Sequence, residues 1–180
     1  IAGYYSGAVA DAISWLINTL NAIPPLFLIL VAAALWQPTA EALIIILALL
    51  GWSGTSRLVR GEVLSIKQRD YVLAAQALGA SRPRILLVHI LPNVLPIVIV
   101  TGTIIAGNLI LLESGLSFLG VGVQPPTPTW GNMLTDSRNY FVTGVHLIIW
   151  PGILIMLAVL CFYLIGDGLR DALDPYNNRR

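Results

Sequence analysis

The sequence predicts an all-α fold, a polytopic transmembrane helix bundle with a helical elbow protruding on one side. Three observations carry this: an apolar excess, charge-free runs of span length, and basic residues gathered between particular runs. Hydrophobic residues make up 57% of the 180-residue chain and charged residues 11%, against about 45–50% and about a quarter in ordinary soluble domains. So little charge does not cover a water-exposed surface, which makes lipid the expected solvent. The net charge of +1 supplies no broad basic field, so no nucleic-acid partner is expected. Cys161, the only cysteine, lies inside an apolar run. An intrachain disulfide is excluded, and the redox compartment stays unread.

Three stretches, 12–40, 85–112 and 139–166, contain no Asp, Glu, Lys or Arg, and a fourth, 42–56, is shorter. Flanking residues extend the fourth to the roughly 20 residues that cross the hydrocarbon core. A charge at mid-span costs roughly 2.5–3.5 kcal/mol, whereas one Leu or Ile returns only roughly 0.3–0.6. Charge-free runs of this length are therefore informative, and the spans are placed at 12–36, 40–57, 91–113 and 144–166. Segment 114–135 is also nearly charge-free, but it carries Gly120, Gly122, Pro125, Pro126 and Pro128. Irregular backbone is not tolerated against lipid, so 114–143 is read as an external loop.

Orientation follows from the arginines. Arg57, Arg60, Lys67, Arg69, Arg82 and Arg84 lie between the second and third spans, and Arg170, Arg179 and Arg180 follow the fourth. Two crossings separate the groups, so both fall on one side, with only Arg138 opposite. The positive-inside rule makes loop 58–90 and the C-terminus cytoplasmic, and residues 1–11 return to that side. Trp36, Trp130, Tyr140 and Trp150 fall near the other interface, as an aromatic belt does.

Loop 58–90 reads as two short helices. Ser65 followed by Gln68 has capping-box spacing, and Tyr71, Ala75 and Leu78 line one face at helical spacing. Gly79 stands where a helix ends in positive φ. Ser81 is placed to cap the next helix, with Pro83 in its first turn; that helix runs to Leu91-Pro92. The corner is built of Ala74, Ala75, Ala77, Gly79 and Ala80, whose small side chains let another surface approach the backbone.

Residues Tyr71-Val-Leu-Ala-Ala-Gln-Ala-Leu-Gly79, continuing to His89-Ile-Leu-Pro92-Asn93, resemble the EAA loop of bacterial ABC import permeases. Gly51-Trp-Ser-Gly-Thr-Ser-Arg57-Leu-Val-Arg60-Gly matches upstream. Glu113-Ser-Gly-Leu-Ser-Phe-Leu-Gly120-Val-Gly-Val-Gln-Pro-Pro-Thr-Pro-Thr-Trp130-Gly-Asn and Gly166-Asp-Gly-Leu-Arg170-Asp-Ala-Leu-Asp-Pro175 are similar to the dipeptide/oligopeptide (and nickel) branch. The resemblance implies a permease subunit that forms a translocation path for short peptides in a bacterial cytoplasmic (inner) membrane. It also implies a homologous second permease subunit, an external substrate-binding protein, and cytosolic ATPase subunits that hold ATP and Mg. The elbow is then a coupling helix docking on the ATPase through Tyr71, Ala74, Ala75, Leu78, Gly79, Ala80, Ser81 and Arg82. Positive-inside anchoring explains Arg82 equally well. Leu73 stands where the motif has Glu, and His89 where it has Ile. Family members carry more spans than the four read here, and the chain opens at Ile1 rather than Met; an upstream part is expected.

Polar residues inside the spans allow two readings, a lining of the path or helix-bridging contacts. Asn18, Asn21 and Pro25 share a face of the first span, where Pro24-Pro25 predicts a kink. Thr101 and Asn108 stand two turns apart in the third, near Gly102-x-x-x-Ala106, a spacing that favours close helix packing. Glu113 ends that span as either a gate or a hydrated interfacial carboxylate. Asp167, Arg170, Asp171 and Asp174 form a charged exit from the last span, a solvated end or a subunit contact.

Enzymatic readings are weaker. Lys67 is the only lysine and Gln68 follows it, so the chain holds no phosphate-binding Gly-x-x-x-x-Gly-Lys-Ser/Thr loop. No cofactor is expected in this chain, and no metal-spaced Cys/His cluster stands in it. Gly51-Trp52-Ser53-Gly54 with His89 offers a hydroxyl and an imidazole, but no orienting group or oxyanion site. A secondary transporter, the rival class, ordinarily carries ionisable residues at the midplane. A nickel or other small-solute permease of the same family is the nearer alternative.

The arginine asymmetry generates the first prediction. In intact cells, cysteines introduced at Ser65 and Ser81 are expected to resist membrane-impermeant thiol reagents, while one at Thr127 reacts. Labelling of the Ser65 position from outside would reverse the orientation.

Overall fold

The computed structural model describes residues 2–5, 7–36 and 39–173. Asp174, Arg179, Arg180 and the side chain of Trp36, used above for charge and belt, lie outside the described residues. Among those described the fold is all helical. Helices α1 (Ala8–Ala22) and α2 (Pro25–Trp36) precede α3 (Ala40–Ile66) and the short α4 (Asp70–Ala77). A helical turn α5 (Arg82–Arg84) runs through a π-helical stretch, Ile85–Ile90, into α6 (Leu91–Phe118). The short α7 (Trp130–Asp136) and a 3-10 turn, Ser137–Tyr140, lead to α8 (His146–Leu173).

Among the described residues three helices are long and apolar enough to cross a membrane: Ala40–Ile66, Arg82–Phe118 and His146–Leu173. The pair α1 and α2 makes a fourth if counted as one broken span. Only 17, 11 and 17% of their most apolar windows are buried within the chain, so most of the apolar surface is left for lipid or other chains. The break between α1 and α2 falls at Ile23, whose backbone is extended, because the residue before a proline is pushed out of the helical region. Pro24 and Pro25 thus interrupt the helix outright where a kink was expected.

Three expectations about the loops are corrected. Helix α3 continues to Ile66 because Val59, Val63 and Ile66 keep an i, i+4, i+7 apolar stripe on a buried cluster. The elbow therefore begins later than residue 58. Its second helix is not separate but the start of the 37-residue helix Arg82–Phe118, which does not stop at Leu91-Pro92. The π-helical stretch ends just before Pro92, where the missing N–H and the ring disturb a regular ladder. Finally, 114–143 is not all loop. Helix α6 extends to Phe118, since Leu112 and Leu116 still pack inward and the first breaker is Gly120, at φ +81°. Helix α7 then forms, capped by Thr129, whose Oγ1 accepts the Asn132 N–H at 3.1 Å.

The chain divides into two compact units. The first comprises Ile1–Ile23, Gly51–Thr101 and Leu169–Arg180. Its core is Val63, Ile66, Val72, Ile85, Ile90 and Val94, with Tyr4, Val59, Ala80, Leu86 and Ile97 packed against it. The second comprises Pro24–Leu50 and Gly102–Gly168, with Ile29, Leu43, Leu116 and Val123 at its centre.

Within the second unit, close approach of α6 and α8 depends on two glycines. A Cβ on Gly166 would lie 2.6 Å from Thr103 Oγ1, and one on Gly107 would lie 3.4 Å from Phe162 Cβ. Gly102, expected to be the contact glycine, leaves open space where a methyl would stand, with no heavy atom within 4 Å; it faces away from this packing. Gly166→Val is therefore expected to destabilise the detergent-solubilised chain by about 1–3 kcal/mol through overpacking. Gly102→Ala is expected to be neutral or mildly stabilising. Thermal unfolding midpoints of the two variants check this; equal effects would remove the packing assignment.

Candidate functional site: the elbow

The elbow is built in the first unit, from the end of α3 to the start of α5. Asp70 stands in the first turn of α4, where a carboxylate favours the positive end of the helix dipole. The expected Ser65–Gln68 capping box does not form. Ser65 belongs to the last turn of α3, and its carbonyl, not its hydroxyl, accepts the Gln68 N–H at 3.2 Å. Arg69 is the N-cap of α4 and makes no side-chain cap bond. Ser81 does occupy the N-cap of α5, extended at φ −67° and ψ 150°, but its hydroxyl makes no cap bond either.

Gly79 behaves as its position predicts. Its φ is +80°, its N–H donates to Gln76 O, and the Ala80 N–H donates to Ala75 O, both at 3.0 Å. This pair is a Schellman motif, which closes α4 by satisfying its last carbonyls. A Cβ on Gly79 would meet nothing within 4 Å, so backbone conformation, not space, requires glycine here.

Helix α4 is anchored by one side chain. Val72 is fully buried against Val63, Ile66, Ile85, Ile90 and Val94, worth about 1.5–3 kcal/mol. The face predicted at Tyr71, Ala75 and Leu78 turns outward: Tyr71 is 42% exposed, Leu78 89% exposed and Ala75 half-buried. Ala74 is exposed beside them. An apolar corner thus projects from the unit on a well-seated base. Tyr71 also stands beside His89, ring centroids 6.3 Å apart, and the Arg82 guanidinium lies 5.9 Å from the centre of the Tyr5 ring.

The intraspan polar residues divide between the units. In the first, Asn21 donates from Nδ2 to Ile17 O at 2.6 Å and accepts from Ser53 Oγ at 3.2 Å, bridging α1 and α3. Asn18 lines a cavity of about 380 Å³ with Ser14, Ser56, Arg57 and Arg60, where Arg60 donates to Ser14 Oγ. Thr101 is half-buried. In the second, Asn108 Oδ1 accepts from Tyr163 Oη at 2.9 Å, joining α6 to α8. Asn21 and Asn108 are helix-bridging amides, a common use of Asn between membrane helices.

Glu113 accepts from Ser117 Oγ at 2.6 Å and borders a cavity of about 700 Å³ with Leu43, Ile44, Ser114, Trp130 and Met133. Ser117, not singled out in the sequence, is the knot of this region. Its hydroxyl also accepts the Val123 N–H at 3.2 Å, and its carbonyl accepts from Thr135 Oγ1 at 2.8 Å. Gly122 and Gly131 both press against it, leaving no room for a methyl. The Glu113/Ser117 i, i+4 spacing was its only signal in sequence. Arg138 lies over the Phe118 ring and donates to Phe118 O. Ser53 of the Gly51–Gly54 block is engaged with Asn21.

The family described as "Binding-protein-dependent transport system inner membrane component" matches residues 1–178. The chain is 41% identical to the "Dipeptide transport system permease protein DppC" of Alkalihalophilus pseudofirmus over 97% of its own length and 58% of the relative. It is 36% identical to the "Oligopeptide transport system permease protein OppC" of Escherichia coli K12, over 94% and 56% respectively. It is 41% identical to the "Glutathione transport system permease protein GsiD" of Escherichia coli O6:K15:H31, over 96% and 57%. The chain thus spans rather more than half the length of these relatives. It is a multi-pass helical membrane protein, and it belongs to the family of binding-protein-dependent transport system inner membrane components.

Proposed function

We propose that this chain is a permease subunit of an ATP-driven importer of short peptides, and that α4 with Gly79 is its contact with a separate cytosolic ATPase. The observation that carries the coupling role is the combination of an outward apolar corner, Leu78 above all, with the single inward anchor Val72. A push on the exposed corner is delivered through Val72 to the end of α3, by Val63 and Ile66, and to the start of the Arg82–Phe118 helix, by Ile85 and Ile90. The chain supplies motion, and ATP with its Mg is bound and hydrolysed in partner chains. The other partners are a second, homologous permease subunit, an external substrate-binding protein and the lipid of a bacterial cytoplasmic membrane. The dipeptide, oligopeptide and glutathione transport named for the relatives supports peptides as cargo. Of the path candidates, Asn18 and Thr101 in the first unit offer an amide and a hydroxyl, and Glu113 in the second a carboxylate, while Asn21 and Asn108 are engaged in bridging helices.

Two experiments test this reading. Replacing Gly79 by Val forces a β-branched residue into positive φ, at about 1–3 kcal/mol, whereas Asn adopts that region more readily. Gly79→Val is expected to insert normally but to lose peptide uptake or its coupling to ATP turnover, and Gly79→Asn to retain most of it. Wild-type uptake by Gly79→Val would refute the coupling role. For cargo, cells lacking the subunit are expected to lose uptake of short peptides with free amino-acid uptake unchanged. A fall in nickel accumulation with intact peptide uptake would reassign the substrate.

A further inference from the structure

Beside the elbow, within the first unit, lies a cavity of about 700 Å³ whose walls differ from every apolar surface around it. Lys67, Gln68, Gln76, Arg82, Tyr4 and Tyr5 line it, and among the described residues no carboxylate does. Among the described residues neither Lys67 nor Arg82 has an acidic group within 4.0 Å. Lys67 is half-buried, as are both tyrosines, whereas Arg82, Gln68 and Gln76 are exposed at the rim, with the Arg82 guanidinium 5.9 Å from the centre of the Tyr5 ring. Two cations and four hydrogen-bonding side chains thus line one space, with no carboxylate beside them among the described residues. Leu73 and Ile85 complete the wall, giving the polar space an apolar edge.

We propose that this cavity binds a phosphate-bearing anion, and that its source is the headgroup of an anionic phospholipid. A phosphodiester matches the chemistry of a guanidinium and an ammonium set among hydroxyl and amide donors. The lipid source follows from position: the cavity sits where a span-length helix begins at Arg82, beside apolar wall residues that suit the start of acyl chains. Basic pockets at the cytoplasmic ends of spans meet an anionic leaflet. The proposal rests on the orientation given above; the cavity shares Ala80 and Arg82 with the expected coupling residues, but lipid retention is read apart from uptake, so its failure leaves the coupling role standing. A bound headgroup ties Lys67, which follows α3, to Arg82, which starts α5, across the base of the elbow.

The test uses the complete importer complex in detergent, titrated with dihexanoyl phosphatidylglycerol and followed by native mass spectrometry. Wild-type complex is expected to retain one more phosphatidylglycerol per copy of this subunit than the Lys67→Gln/Arg82→Gln variant. Affinity in the variant should fall at least about tenfold, the loss expected for one charge-assisted hydrogen bond. Dihexanoyl phosphatidylcholine should bind both alike, and Lys67→Arg should keep the site. Should the double variant fail to assemble, Lys67→Gln alone must still weaken binding. Equal retention by wild type and variants overturns the site. Full displacement by inorganic phosphate at equal concentration overturns the lipid source.

Discussion

Lipid cannot hydrogen-bond a peptide group, and it is as apolar as the side chains that face it. The first fact forces the spanning segments of this chain into helices. The second removes the hydrophobic drive that would otherwise press those helices together. Association then depends on the few places where backbones come close or polar groups meet. Gly107 and Gly166 admit α6 to α8, and Tyr163 reaches Asn108 between the same helices. Asn21 joins Ser53 across α1 and α3. The polar residues of the spans are therefore not scattered exceptions to an apolar pattern but the contacts that give the helices definite neighbours.

Where the chain leaves lipid, water restores the hydrophobic effect, and the elbow exploits the change. A helix of only 8 residues, α4, is not stable by itself. Val72 holds it down, Asp70 favours its start, and the Schellman turn at Gly79 ends it. With so little of α4 spent on its own seating, the remaining apolar side chains are free to present a surface. The region around Ser117 solves the opposite problem. There an irregular segment needs its polar groups answered, and one serine answers the Val123 N–H, the Thr135 hydroxyl and the Glu113 carboxylate.

The sequence showed Gly79 clearly because positive φ is a local demand that few residues meet. It misplaced the capping box at Ser65 because a cap is defined by where the preceding helix ends. That end is set by Val59, Val63 and Ile66 finding a buried cluster, which is a tertiary fact. Gly102 is a case of the same kind. Small-residue spacing says that a helix can be approached closely, not which neighbour arrives, and the contact formed at Gly107 and Gly166 instead.

By itself, then, the sequence determined the class of solvent, the number of charge-free runs, the likeness to a permease family and the turn at Gly79. Each of these follows from composition, from charge placement or from the conformational range of single residues, all local properties. Only the tertiary structure decided that the face of Tyr71 and Leu78 points outward while Val72 points in. Only it brought Lys67, Arg82, Tyr4 and Tyr5 around one cavity, and gave Asn21 and Asn108 their partners. The physical reason is that 3.6-residue periodicity groups side chains by face but is silent on which face is covered. That choice belongs to the other segments that pack there.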